Sequence, residues 1–276
     1  ETRGSGIPYV KLTLARIGRG TRLRSIAVKF FAGVAGIGTG LSLGREGPSV
    51  QLGAGSGALV AKMFRMKGTN QDKLIASGAG AAIAATFNAP IAGAIFVLEE
   101  LIQKFSPALL FSVLVSTVSA AGIARYFLGD NPSFVIPQLS FFVRIEDIWV
   151  FILLGVVSGV VGVCFCKMIF FNITLFEKMT VIPQWAKPAV AGFFVGVFGL
   201  FLPYILGSGN LAVDMLLAGK FGFLLILLIF VGKFVATPFC FASGAAGGIF
   251  LPTLMLGAFL GYFLSSLCSF CGVDLT

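Results

Sequence analysis

Hydropathy along the chain rises and falls in long blocks. Apolar runs cover 26–43, 49–63, 74–98, 108–128, 148–171, 189–206, 221–234 and 253–267, with polar residues gathered between them. A simple crossing of the hydrocarbon core takes about 20 apolar residues. Runs 108–128 and 148–171 meet that requirement, the second with tilt or an interfacial end. The first two runs are shorter, and between them stands Gly44-Arg45-Glu46-Gly47-Pro48. Glycine lets the backbone turn and keeps its N–H groups accessible, and Pro48 suits the first turn of a helix. The pattern predicts two broken helices meeting at a buried turn, with a positive helix end facing an acidic side chain. Such a carboxylate is a functional candidate.

Run 74–98 is interrupted by Asn88-Ala89-Pro90. Proline breaks the hydrogen-bond ladder and disfavours helix at the residue before it, so the run is either one kinked span or a hairpin of two short helices. Its first half is rich in glycine and alanine, as tight helix packing in a membrane requires. It ends in Glu99-Glu100. Two acids at a helix C-terminus oppose the dipole, which leaves a solvated terminus or a proton-handling site as readings. The stretch 129–147 is polar and reads as an extramembrane loop, while Arg125 and Lys167 lie near span ends and are expected to snorkel.

Composition supports the pattern. Hydrophobic residues make up 57% and charged residues 11%, with mean hydropathy +1.00, against roughly 25% charged in soluble domains. The expectation is an all-α, multi-pass membrane protein. The net charge of +9 is concentrated in two clusters, Lys11, Arg16, Arg19, Arg22, Arg24 and Lys29, then Lys62, Arg65, Lys67 and Lys73. The positive-inside rule puts both on the cytoplasmic side, so the segment between them enters the membrane and returns. No aromatic platform accompanies the lysines, which argues against nucleic acid as a partner. The chain has no histidine, which removes His-based triads and most zinc sites, so neither an enzyme nor a metal site is expected. The five cysteines fall in or beside apolar runs, and Cys268 and Cys271 lack a second pair to complete a metal site. The chain opens at Glu1 without a methionine or signal peptide, and the expectation is a piece of a longer protein, truncated at both ends.

A second glycine-dense stretch, Ser243-Gly244-Ala245-Ala246-Gly247-Gly248-Ile249-Phe250-Leu251-Pro252, again precedes an apolar helix. The halves echo each other, with 41 positions from Ser5 to Glu46 and 42 from Ser208 to Phe250. Paired interrupted segments in two halves point to a transporter binding site. The expected division is 1–128 as a first repeat, 129–147 as the loop and 148–276 as a second repeat.

Gly4-Ser5-Gly6-Ile7-Pro8, Gly44–Pro48 and Gly248-Ile249-Phe250-Leu251-Pro252 resemble the three signature motifs of the CLC family of chloride channels and chloride/proton antiporters. They follow the family's order, and Asn88-Ala89-Pro90 leading to Glu99-Glu100 is similar to a further family stretch. The resemblance implies a homodimer in the bilayer, each subunit built from inverted repeats of tilted, broken helices around its own anion path. It implies that Gly4, Ser5 and Gly6 with Ile249 and Phe250 bind the central chloride, Ser5 through its hydroxyl and Ile249 and Phe250 through backbone N–H groups. It makes Glu46 the external gate, with amides around Arg45 and Gly47 forming an outer anion site. Glu100 matches the internal proton-transfer glutamate of the antiporters. Chloride and protons are then the transported ions, and no cofactor is implied. Serine at position 5 accompanies chloride preference, and both glutamates together favour antiport. A passive chloride channel and a non-transporting scaffold are the alternatives, and a fluoride exporter fits the motifs less well. Tyr9 and Lys11 depart from the acidic residues many members carry there, and no tyrosine in this chain occupies the place of the one that completes the family's central site.

Overall fold

The computed structural model describes residues 2–17, 23–130 and 148–270. Most of the expected loop 129–147, together with Arg19, Arg22 and Cys271, lies outside them. The described residues are helical, in the order α1 (Ile7–Leu14), α2 (Leu23–Gly38), α3 (Glu46–Met63), α4 (Thr69–Phe87), α5 (Pro90–Phe96), a π-helical turn (Val97–Ile102), α6 (Pro107–Leu128), α7 (Ile148–Lys178), α8 (Lys187–Phe201), a 3-10 turn (Pro203–Ile205), α9 (Asn210–Leu217), α10 (Phe223–Ala242) and α11 (Phe250–Phe270). Four helices, α6, α7, α10 and α11, are long and apolar enough to cross a membrane. The expected span 189–206 is instead the 15-residue α8 followed by the 3-10 turn. Helix α10 runs on through Pro238 to Ala242, so Lys233 lies in its interior and not near its end.

The chain forms two compact units. The first comprises Glu1–Gly38, Gly44–Ser133 and Ala246–Gly248. Its core joins Val10 of α1, Val50 and Ala54 of α3, Ile75 and Ala79 of α4, and Val97, Leu109 and Val113. Helices α3 and α4 approach closely because both carry glycine at the crossing. A methyl added at Gly53 would strike the carbonyl oxygen of Gly78, and one at Gly57 would strike that of Leu74. This is the small-residue packing of membrane helices, where dispersion between close backbones takes over from hydrophobic burial. Asn88 ends α4 in the left-handed region (φ 55°), and Pro90 opens α5. Helix α5 folds back on α4, since a methyl on Gly93 would lie 2.6 Å from the Gly80 carbonyl oxygen. Of the two readings of run 74–98, the hairpin is the one observed. Arg125 does not simply snorkel. Its Nε donates to Asn88 Oδ1 at 2.6 Å and lies 3.2 Å from Asp130 Oδ1, tying the end of α6 to the hairpin's turn.

The second unit comprises Thr39–Leu43, Phe134–Ala245 and Ile249–Thr276. Its core gathers Ala212, Val213 and Leu216 of α9 with Ile226 and Ile229 of α10 and Met255 and Phe259 of α11. Lys233 is wholly buried, and its ammonium donates to the carbonyls of Ile205 (3.0 Å) and Gly207 (2.6 Å). Those carbonyls lie just before Ser208-Gly209, which leads into α9. A charged amine in so apolar a place is tolerable only because it is hydrogen-bonded.

Glycine at the α3–α4 crossing is a steric requirement. Gly53→Ala is expected to destabilise the protein by about 1–3 kcal/mol through overpacking. Gly122→Ala in α6, where a methyl meets open space, should be neutral or stabilising by up to about 1 kcal/mol. Thermal unfolding of the two variants in one detergent checks the contrast.

Candidate functional site

The site in the first unit begins with α1. Gly6 caps this helix with φ 94°, a conformation that glycine adopts without strain. A methyl there would also strike the side chain of Gln51, itself buried on α3. Just upstream, Lys29 of α2 is fully buried, and its ammonium donates to the carbonyls of Thr2 (3.1 Å) and Gly4 (2.6 Å). The cation pins the segment that carries Ser5 and takes up carbonyl oxygens that would repel an anion. The charge pattern alone groups Lys29 with the cytoplasmic cluster and does not reveal its burial. One signal was available, since Lys29 falls inside the apolar run 26–43.

Glu46 is the first residue of α3 and is 1% exposed. The turn before it is fixed by two mutual backbone hydrogen bonds between Gly44 and Gly248, each 2.7 Å. The Glu46 carboxylate folds back over this pair. A methyl at Gly44 would collide with Glu46 Oε2, and one at Gly248 would lie 3.6 Å from the same oxygen. Gly47 is pressed against Ser5, where a methyl would meet Ser5 Cβ at 2.8 Å and the Ser5 carbonyl oxygen at 2.5 Å. Pro48 stands beside Gly33 of α2, as does the Ala246 carbonyl. Three motif pieces far apart in sequence, around Ser5, around Glu46 and at Gly248, are thus assembled by close backbone approach. The expectation of a buried helix start beside a carboxylate is what the structure shows.

The other predicted residues are placed as follows. Arg45 caps α3 with its side chain exposed, and its carbonyl accepts from the Ser49 N–H and hydroxyl. Ile249 and Phe250 belong to the second unit, where Phe250 opens α11 and is 54% exposed. Glu99 and Glu100 lie in the π-helical turn, a geometry frequent at functional sites. Glu100 Oε1 is 2.5 Å from the ammonium of Lys11, with both side chains partly exposed. The acid pair opposes its helix dipole, and for Glu100 the compensation is this cation. The pairing of Lys11 with Glu100 is not visible in the sequence, because nothing local in it brings α1 to the π turn.

A family model described as voltage gated chloride channel matches residues 1–274. The chain is 37% identical over 268 residues to the H(+)/Cl(-) exchange transporter ClcA of Vibrio parahaemolyticus, covering 95% of this chain and 57% of that protein. It is 35% identical to the ClcA exchange transporter of Yersinia pestis, again over 95% of this chain and 56% of the relative. The chain therefore spans little more than half the length of these curated relatives. Among solved structures, a slow cyanobacterial Cl-/H+ antiporter superposes with a TM-score of 0.86 at 30% identity, over 98% of this chain and 64% of that one. A CLC-type fluoride/proton antiporter shares the fold, with a TM-score of 0.81 at 24% identity over 98% and 67% of the two chains. With signature motifs, helical architecture and near-complete coverage in agreement, the chain belongs to the voltage-gated chloride channel (CLC) family and is an integral multi-pass membrane protein.

Proposed function

We propose that the protein exchanges chloride for protons across the membrane, with Glu46 as the gating carboxylate and Glu100 as the internal proton acceptor. The observation that carries this reading is the Glu46 carboxylate, buried at the first turn of α3 against the Gly44–Gly248 pair and one residue from the Gly47–Ser5 contact. A helix start of this kind favours an anion by up to about 2 kcal/mol when partly buried, and an unprotonated carboxylate can itself serve as that anion. Protonation removes its charge and its claim on the site, so a chloride ion and a proton favour each other's arrival. Ser5, fixed against Gly47, supplies a hydroxyl donor at the next position inward. Gly4 and Gly6 shape its loop.

Exchange is preferred over passive conduction because a second carboxylate, Glu100, stands ready for protons, and because the relatives named above are exchangers. The working unit is proposed to be a homodimer in the bilayer. No cofactor enters this mechanism.

The tests use full-length protein in liposomes with chloride and proton movement recorded separately. Glu46→Gln is expected to keep chloride flux while coupled proton flux falls by about a hundredfold or more, the scale of losing a positioned acid–base group. Intact proton coupling in that variant would remove Glu46 from the gate. Glu100→Gln should also spare chloride and stop protons, and proton flux at the parent rate would eliminate Glu100. Ser5→Pro should shift preference from chloride towards nitrate, so unchanged selectivity would count against a Ser5 contact with the ion.

A further inference from the structure

Below Glu100 the first unit contains a 530 Å³ cavity that the exchange reading leaves unused. Its volume is in the roughly 300–1,000 Å³ range of small-molecule sites. Three lysines line it, Lys11 from α1, Lys73 from α4 and Lys104 from the segment between the π turn and α6. The one lining carboxylate, Asp72, is already held by Arg16 at 2.9 Å. Lys73 and Lys104 make no ion pair among the described residues, so the cavity carries a surplus of positive charge. Two hydroxyl residues, Thr69 and Ser106, complete its polar lining. They stand at the starts of α4 and α6, neither of which has a side-chain cap, so both helix dipoles add to the positive potential.

We propose that this cavity binds a phosphate-bearing anion, and that the bound anion competes with Glu100 for Lys11. A phosphate group matches the surplus, since it brings more than one negative charge and several acceptor oxygens to a ring of ammoniums and hydroxyls. Lys11 and Lys73 belong to the two basic clusters, which the positive-inside rule assigns to the cytoplasmic side. Basic pockets between membrane helices on that side suit lipid headgroups, and a soluble phosphate compound offers the same chemistry. Lys11 connects this cavity to proton handling, because its ammonium is both a lining group and the partner of Glu100 at 2.5 Å. An anion that draws Lys11 away leaves Glu100 without its cation and with a negative neighbour. The regulatory consequence rests on the role proposed for Glu100. The binding claim does not.

The experiment measures inorganic pyrophosphate binding to purified full-length protein by calorimetry at low ionic strength, where such contacts are least screened. Saturable binding is expected, weakened at least tenfold in Lys73→Gln/Lys104→Gln, with that variant's melting temperature confirming its fold. Glu100→Gln, which releases Lys11, should bind several-fold more tightly. Repeating the titration in phosphatidylcholine nanodiscs with and without phosphatidic acid separates the sources. Loss of pyrophosphate binding when phosphatidic acid is present identifies a lipid headgroup, and unaltered binding identifies a soluble phosphate. Absence of binding, or equal binding by the lysine variant, overturns the site. Unchanged affinity in Glu100→Gln overturns the competition. Pyrophosphate binding that depends on Lys73 and Lys104, in a protein whose proton flux ignores Glu100, would uphold the site and refute the proton-transfer reading alone.

Discussion

A carboxylate buried at a helix start in an apolar protein can persist only if the backbone around it is arranged for negative charge, and most of the first unit follows from that constraint. Glu46 sits where α3 begins, so the positive end of the helix dipole faces it. Glycines at 44, 47 and 248 are there because neighbouring atoms occupy the space a side chain would need. Lys29 adds a buried positive charge beside the segment holding Ser5, and it donates to two carbonyls instead of to a carboxylate. An ammonium bonded to neutral carbonyls keeps its net charge, whereas one paired with an acid would cancel it. That choice leaves a positive field for an anion, which is how the account links packing to transport.

The second unit uses the same local device. Lys233 donates to the carbonyls three and one positions before Ser208. Lys29 donates to the carbonyls three and one positions before Ser5. Gly6 and Gly209 both cap their short helices at φ 94°. The spacing echo in the sequence is therefore matched by equivalent hydrogen bonding in each half, down to the buried lysine of the following helix. This is firmer support for a duplicated architecture than glycine counts alone, because two buried lysines each anchored to equivalent carbonyls are not a product of composition.

Much of the site is legible in the sequence. Gly44–Pro48 announced itself through a charge between two short apolar runs, and Asn88-Ala89-Pro90 announced a break through the backbone limits of proline. What stayed hidden were contacts between distant segments. Lys29 reads as one more cation of the first basic cluster, because charge rules weigh residue type and not the side chain's direction. The Lys11–Glu100 pair joins α1 to a π-helical turn, and that turn has no sequence signal of its own. Helix α10 continues through Pro238 to Ala242, because packing within the unit outweighs one lost backbone bond.

The central claim is that chloride and protons move against each other through a site governed by a carboxylate. The most direct measurement places the full-length wild-type protein in liposomes under a chloride gradient, with chloride and pH electrodes recording together. Chloride running down its gradient is expected to drive protons uphill. Chloride movement with no accompanying proton movement would contradict it and leave a passive channel in its place.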